Sequence, residues 1–176
     1  RLAEQRAEAL EQGVDVCVSS WNRLAPNTLP AMAKTAANYM NSQLIKVDAV
    51  KGGFVEGIAL DTQGFVSEGS GENLFIVSKG RLITPPLVSS VLPGITRDLV
   101  IELCGEHGRT CVQRNISLTE MYCADEVFTT GTMGELTPVL EIDGRRIGDG
   151  APGPVTGELS RVYGHWVRHN GERLPF

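Results

Sequence analysis

The chain has 176 residues, of which 41% are hydrophobic and 21% charged, a composition ordinary for one globular domain with a well-buried core. Its formal net charge of −5 offers no basic field to attract a nucleic-acid backbone or an anionic membrane surface, so neither is an expected partner. No run of about 18 apolar residues marks a spanning helix, and Cys17, Cys104, Cys111 and Cys123 stand apart without a C-x-x-C pair, which argues against a zinc ribbon and suits reduced, structural thiols in a cytoplasmic setting.

Residues 1–12 (RLAEQRAEALEQ) are strong helix formers, and Gly13 stands where a helix end favours a left-handed residue. A helix ending near Gln12 is predicted. Because the chain opens on Arg1 inside that amphipathic segment, the expectation is that its natural N-terminus lies upstream. Next, VDVCVSSW alternates Val14, Val16 and Val18 with Asp15, Cys17 and Ser19, the period of a half-buried strand, until Pro26 and Asn27 break it. Between Pro30 and Gly52, Met32, Ala36, Ala37, Met40, Leu44 and Val47 recur at helical spacing, predicting a long helix with Lys34 at or just before its start. VEGIALD and GFVSEG then read as short strands around Thr62, Gln63 and Gly64, followed by the bend GSGE and the apolar strand NLFIV. Ser78-Lys79-Gly80 turns the chain into RLIT.

TPPLVSSVLPG is a loop by its prolines, and it delivers the chain to a helix in ITRDLVIELCGEHG. RTCVQRNI reads as a strand, SLTEMYCAD as a short helix opened by a Ser-x-x-Glu capping box, and EVFTTG as a buried strand. TPVLEIDGRRIG forms a hairpin turning at Asp143-Gly144, and GPVTGELSRVYGHWVRHN a C-terminal helix weakened by Gly157 and Gly164. Strands interspersed with helices and joined by tight hairpins predict an α+β fold with a mixed, largely antiparallel sheet.

Candidate chemistry starts at Lys34. A lone lysine is usually a snorkelling surface residue, but one held in an apolar site loses stability as the ammonium, and the neutral amine can form a Schiff base or take a proton. Its small neighbours Ala33, Thr35, Ala36 and Ala37 leave room for a ring. Glu68 precedes Gly69-Ser70-Gly71: either a solvated turn carboxylate or a partner that keeps a pyridine nitrogen protonated. Pro93-Gly94-Ile95-Thr96 places free amides and a hydroxyl at a helix N-terminus suited to phosphate, and Thr130-Gly131-Thr132 repeats that chemistry at a strand end. Arg97 could touch phosphate, although a helix-surface ion pair is the preferred reading. His165 and His169, four residues apart, share a helix face without a third metal ligand and are read as an exposed pair.

Taken in order, VSSWNR, AKTAANYMNSQL, EGIALD, GFVSEGSGENLF, TPP, LPGITRD, ADEVFTTGT, ELTPV, IDGR and GPVT resemble the class IV (fold type IV) pyridoxal-phosphate-dependent aminotransferases, most closely the branched-chain amino acid aminotransferases. The resemblance covers roughly residues 13 to 160. It implies the large C-terminal domain of the D-amino acid aminotransferase-like fold, with a barrel-like core. Residues 1–176 would be the cofactor-binding domain, with a small N-terminal domain carrying a phosphate-binding arginine missing and the piece by itself inactive. By resemblance, Lys34 forms the Schiff base with pyridoxal 5'-phosphate, Tyr39 meets the ring hydroxyl, Glu68 the ring nitrogen and Leu92 the ring face. Ile95, Thr96 and Thr132 hold the phosphate, while Thr132 and Met133 receive the substrate carboxylate.

The implied reaction is ping-pong transamination of leucine, isoleucine or valine with 2-oxoglutarate, giving branched-chain 2-oxoacids and glutamate, in a cytoplasmic homodimer of amino acid metabolism. Alternatives are a D-amino acid transaminase or an aminodeoxychorismate lyase of the same fold, or a non-catalytic cofactor-binding piece. Three positions depart from the family pattern: Ala36 and Ala37 replace glycines after the lysine, and Met133 replaces a small residue, bearing on substrate choice.

Overall fold

The computed structural model describes residues 8–171. Residues 8–12 are helical (α1) and stop at Gly13, which takes φ +77°; the part of the expected helix before residue 8 lies outside the described residues. The elements that follow are β1 (Val14–Val18), α2 (Tyr39–Lys51), β2 (Glu56–Leu60), β3 (Val66–Gly69), β4 (Asn73–Ser78), β5 (Arg81–Thr84), α3 (Ile95–Glu106), β6 (Cys111–Gln113), α4 (Leu118–Tyr122), β7 (Glu126–Gly131), β8 (Glu135–Ile142), β9 (Arg145–Arg146) and α5 (Pro154–His169).

All described strands belong to one sheet in the order β3-β2-β1-β8-β7-β4-β5-β6, with β9 folded against β8. It is mixed: β1 runs parallel to β2 and to β8, and β5 to β6, while the hairpins and the β4–β7–β8 centre are antiparallel. The ends of this order approach each other. Val66 N donates to Ile116 O at 2.9 Å, and Phe65 pairs with Ser117, so β3 meets the segment leaving β6 and the sheet curls into a barrel-like core.

Alternation along the strands divides the apolar residues between two cores, as a period of two requires. Inward lie Val16, Ile58, Val66, Leu74, Ile76, Val127 and Val139, all but sealed from solvent. Outward, Phe75 and Phe128 stack across β4 and β7 with centroids 5.1 Å apart and join Val100, Leu103 and Leu159 under α3 and α5. Each fully buried aliphatic or aromatic side chain contributes roughly 1.5–3 kcal/mol relative to exposure.

The segment after Pro30 departs from expectation. The α-helix begins at Tyr39, after a short 3-10 turn over Ala36–Asn38. Asn38 Nδ2 donates to Pro30 O and Ala33 O, both at 2.8 Å, tying residues 30–33 into a loop. Met40, Leu44 and Val47 face out, while Ser42, Ile45 and Ala49 face in. Close packing selects that face: a Cβ placed on Gly57 of β2 would lie 2.9 Å from Ile45 Cγ2, so the helix lies on the sheet through its small and β-branched side. Among the described residues no helix is long and apolar enough to cross a membrane.

Candidate active site

A cleft opens where the loop before α2, the bend after β3 and the segment before α3 converge. Glu68, on β3, forms one end. It is 4% exposed; Oε1 meets Arg23 Nη2 at 2.8 Å, and Oε2 accepts from Asn73 Nδ2 at 2.9 Å and Leu92 N at 3.0 Å. Burial pushes the carboxyl up to about 7, against the pull of the Arg23 charge and the donors from Leu92 and Asn73. Arg23 is itself held by Asn41 Oδ1 at 2.9 Å and by its backbone N–H on Leu60 O at 2.8 Å.

Lys34, Tyr39 and Leu92 line the same cleft as Glu68. Lys34 stands on the loop at its mouth and is exposed, which corrects the expectation of an apolar, desolvating environment: Thr35, Ala36 and Ala37 beside it are exposed as well, because the loop lies on the open side of the cleft. Leu92 is positioned through Asn73, whose Nδ2 also donates to Leu92 O at 2.9 Å. A Cβ on Gly94 would lie 2.1 Å from Asn73 Oδ1, so only glycine lets the chain pass this clamp into α3.

The other expected residues are not part of that lining. Ile95 and Thr96 open α3 just beyond the clamp and border a separate groove with Tyr163 and Trp166; Thr96 is buried and Ile95 78% exposed. Thr132 and Met133 form the exposed turn between β7 and β8. Arg97 forms the preferred ion pair, meeting Asp98 at 3.2 Å, but its surface placement is corrected: it is 2% exposed and also donates to Pro85 O at 3.2 Å and Gln113 Oε1 at 2.9 Å. It fastens α3 to the proline loop. His165 and His169 are an exposed stacked pair, as expected.

Arg23, Asn73 and Glu72 also line the cleft and were not singled out from sequence. VSSWNR carried Arg23 as part of a pattern, but nothing local to it signals a carboxylate 45 residues away. The donor set fits a flat pyridine aldehyde: a buried acid at one end, an amine at the mouth, and two buried polar atoms in the walls, Arg23 Nε and Asn38 Oδ1, without partners among the described residues.

The sequence profile of the amino-transferase class IV family matches residues 2–142. This chain belongs to the class IV aminotransferases. It is 52% identical over 157 residues to the branched-chain-amino-acid aminotransferase of Escherichia coli (strain K12), covering 89% of this chain and 51% of that protein. The crystal structure of the Escherichia coli branched-chain amino acid aminotransferase superposes with a TM-score of 0.89 at 52% identity, over 90% of this chain and 52% of that one. The branched-chain amino acid aminotransferase from Thermobaculum terrenum in its PLP-bound holo-form gives a TM-score of 0.88 at 40% identity, over 95% and 54% respectively. The branched-chain aminotransferase from the archaeon Thermoproteus uzoniensis with norvaline gives 0.87 at 42% identity, over 93% and 54%. The α+β class IV fold expected from sequence is the fold found, and the chain spans about half the length of the curated relatives it matches.

Proposed function

We propose that this class IV aminotransferase chain is the cofactor-binding C-terminal half of a pyridoxal-phosphate-dependent branched-chain amino acid aminotransferase, active as a cytoplasmic homodimer on leucine, isoleucine or valine with 2-oxoglutarate. The observation that carries the reading is the cleft holding Lys34 at its mouth and the buried Glu68–Arg23 pair at its end. The Thermobaculum relative in its PLP form supports the cofactor, and the Thermoproteus relative with norvaline supports an amino-acid substrate.

Bound pyridoxal phosphate supplies an aldehyde and a ring able to accept an electron pair. The protein's share is positional and electrostatic. Glu68, held by Arg23, Asn73 and Leu92 N, would meet the ring nitrogen and keep it charged. Tyr39 would donate to the ring oxygen and Leu92 would cover the ring face, while the first-turn amides of Ile95 and Thr96, with the Thr96 and Thr132 hydroxyls, would hold the phosphate beyond the cleft lining. The Lys34 amine moves the proton of the substrate α-carbon, and the amides of Thr132 and Met133 receive the substrate carboxylate. Release of the oxoacid before the second substrate binds makes the kinetics ping-pong.

The exposed stripe Met40, Leu44, Val47 and Val50 on α2 supports a covered face in a dimer, and the four free cysteines suit a reducing compartment. The test is turnover by the complete protein: 4-methyl-2-oxopentanoate formed from L-leucine and 2-oxoglutarate is expected. Its absence, with product from D-alanine or aminodeoxychorismate instead, contradicts the substrate assignment.

A further inference from the structure

Glu72 occupies the bend between β3 and β4, where its carbonyl accepts from Gly69 N at 2.7 Å. Its side chain lines the cleft beside Glu68 and Asn73. It also reaches the β7–β8 turn from below. A Cβ on Gly134 would fall 2.6 Å from Glu72 Oε1, and one on Gly131 would fall 3.5 Å from Glu72 Cγ. These two glycines bracket Thr132 and Met133, so one side chain is at once a wall of the cleft and the backing of the turn. Thr137 Oγ1, which would lie 3.4 Å from that same Cβ on Gly134, donates to Gly134 O at 2.8 Å. The hydroxyl ties the turn's own backbone and the carboxyl packs against it, so a side chain at position 134 would have to displace the Glu72 carboxyl.

We infer that Glu72 is a positioning residue, which fixes the Gly131–Gly134 turn against the cofactor cleft and thereby sets affinity for the substrate carboxylate. The inference rests on the proposed role of the Thr132 and Met133 amides as the carboxylate's receptors. Burial raises the Glu72 carboxyl above its ordinary value, opposed by the Thr129 hydroxyl, reinforced by the Glu56 charge and opposed again by Lys46. Removing the side chain should loosen the turn and leave the Glu68–Arg23 end of the cleft intact.

The experiment uses the complete protein loaded with pyridoxal phosphate and reads binding rather than turnover. The probe is 4-methylpentanoic acid, which has leucine's carbon skeleton and carboxylate but no amine to react. Its Kd is measured by calorimetry for the wild type and for Glu72→Ala, Glu72→Gln and Gly134→Ala, with borohydride trapping of the cofactor on Lys34 as the control for an intact cleft. Glu72→Ala should trap like the wild type and bind the acid about tenfold more weakly, and Glu72→Gln, of the same shape and uncharged, should restore binding to within about threefold. Gly134→Ala asks the same question from the turn side should Glu72→Ala fail to fold, and should also weaken Kd. Normal trapping with unchanged Kd in Glu72→Ala, or in Gly134→Ala where that variant is the one available, overturns the inference alone; so does Glu72→Gln binding as poorly as Glu72→Ala. Failure of the wild type to be trapped on Lys34 overturns the functional reading and this inference with it.

Discussion

Arg23 Nη2 and Glu68 Oε1 meet at 2.8 Å with side chains only 5% and 6% exposed. A carboxylate so enclosed is tolerable only because a cation, an amide and a side-chain donor surround it, and each of them comes from a different segment of the chain. The pair thus locks the loop after β1, β3, β4 and the approach to α3 around one end of the cleft.

Arg23→Met should therefore destabilise the fold by about 3–5 kcal/mol at pH 8.5, where the buried Glu68 would be left either ionised without its cation or protonated against the solution pH. The cost should shrink at pH 6, because Glu68 can then take up a proton. Urea unfolding at the two pH values checks this, and a loss below about 1 kcal/mol at pH 8.5 would mean that the pair is not structural.

The same group predicts how stability varies with pH. Glu68 titrates near 7 in the fold against an ordinary 4.5, so the folded chain holds this proton more firmly than the unfolded one. The stabilisation this supplies is fully present below about 4.5 and is lost as pH rises through about 7, on the order of 3 kcal/mol in all. Glu68→Gln should flatten that part of the urea midpoint–pH curve between pH 5 and 8.5. A cationic ligand group facing Glu68 should abolish it too, since an opposite charge favours the anion. Identical slopes for wild type and Glu68→Gln would contradict the assignment.

A second buried carboxylate has a purely architectural role. Glu126 of β7 accepts from Val155 N at 2.9 Å and from Thr156 N and Oγ1 at 2.7 Å, capping the first turn of α5 from outside the helix. A Cβ on Gly153 would lie 2.0 Å from Glu126 Cδ. Glu126→Ala should cost about 2–4 kcal/mol through its orphaned donors, and Gly153→Ala about 3 kcal/mol or more through displacement of the cap. Thermal melts read both. A Gly153→Ala variant as stable as wild type would show that the cap is dispensable.

Much of the fold was legible because it is written locally. Val14 and Val16 alternate into the barrel interior as their period required. Ser117 Oγ accepts from Glu120 N at 3.1 Å, as the capping pattern implied, although Glu120 itself turns away to Arg114. Asp143 and Gly144 take φ +52° and +72° in the hairpin that their dipeptide announced. Where the reading failed, tertiary packing decided. Helical spacing at Met40, Leu44 and Val47 describes a real stripe, yet the sheet accepts the opposite face, because Gly57 lets Ile45 approach. Arg97 looked like a surface cation because its acceptors, Pro85 O and Gln113 Oε1, lie on other elements. Lys34 and Glu68 were legible as a site only through the ordered series of motifs. Arg23 and Glu72 act through partners distant in sequence, which no local pattern encodes.

The central claim is that Lys34 bonds the cofactor in the cleft that Glu68 closes. The complete protein, incubated with pyridoxal phosphate, reduced with borohydride and digested, should yield a single phosphopyridoxyl-modified peptide, the one that contains Lys34, and Lys34→Ala should yield none. Modification at Lys46, Lys51 or Lys79 instead, or no modified peptide from the wild type, would contradict the account.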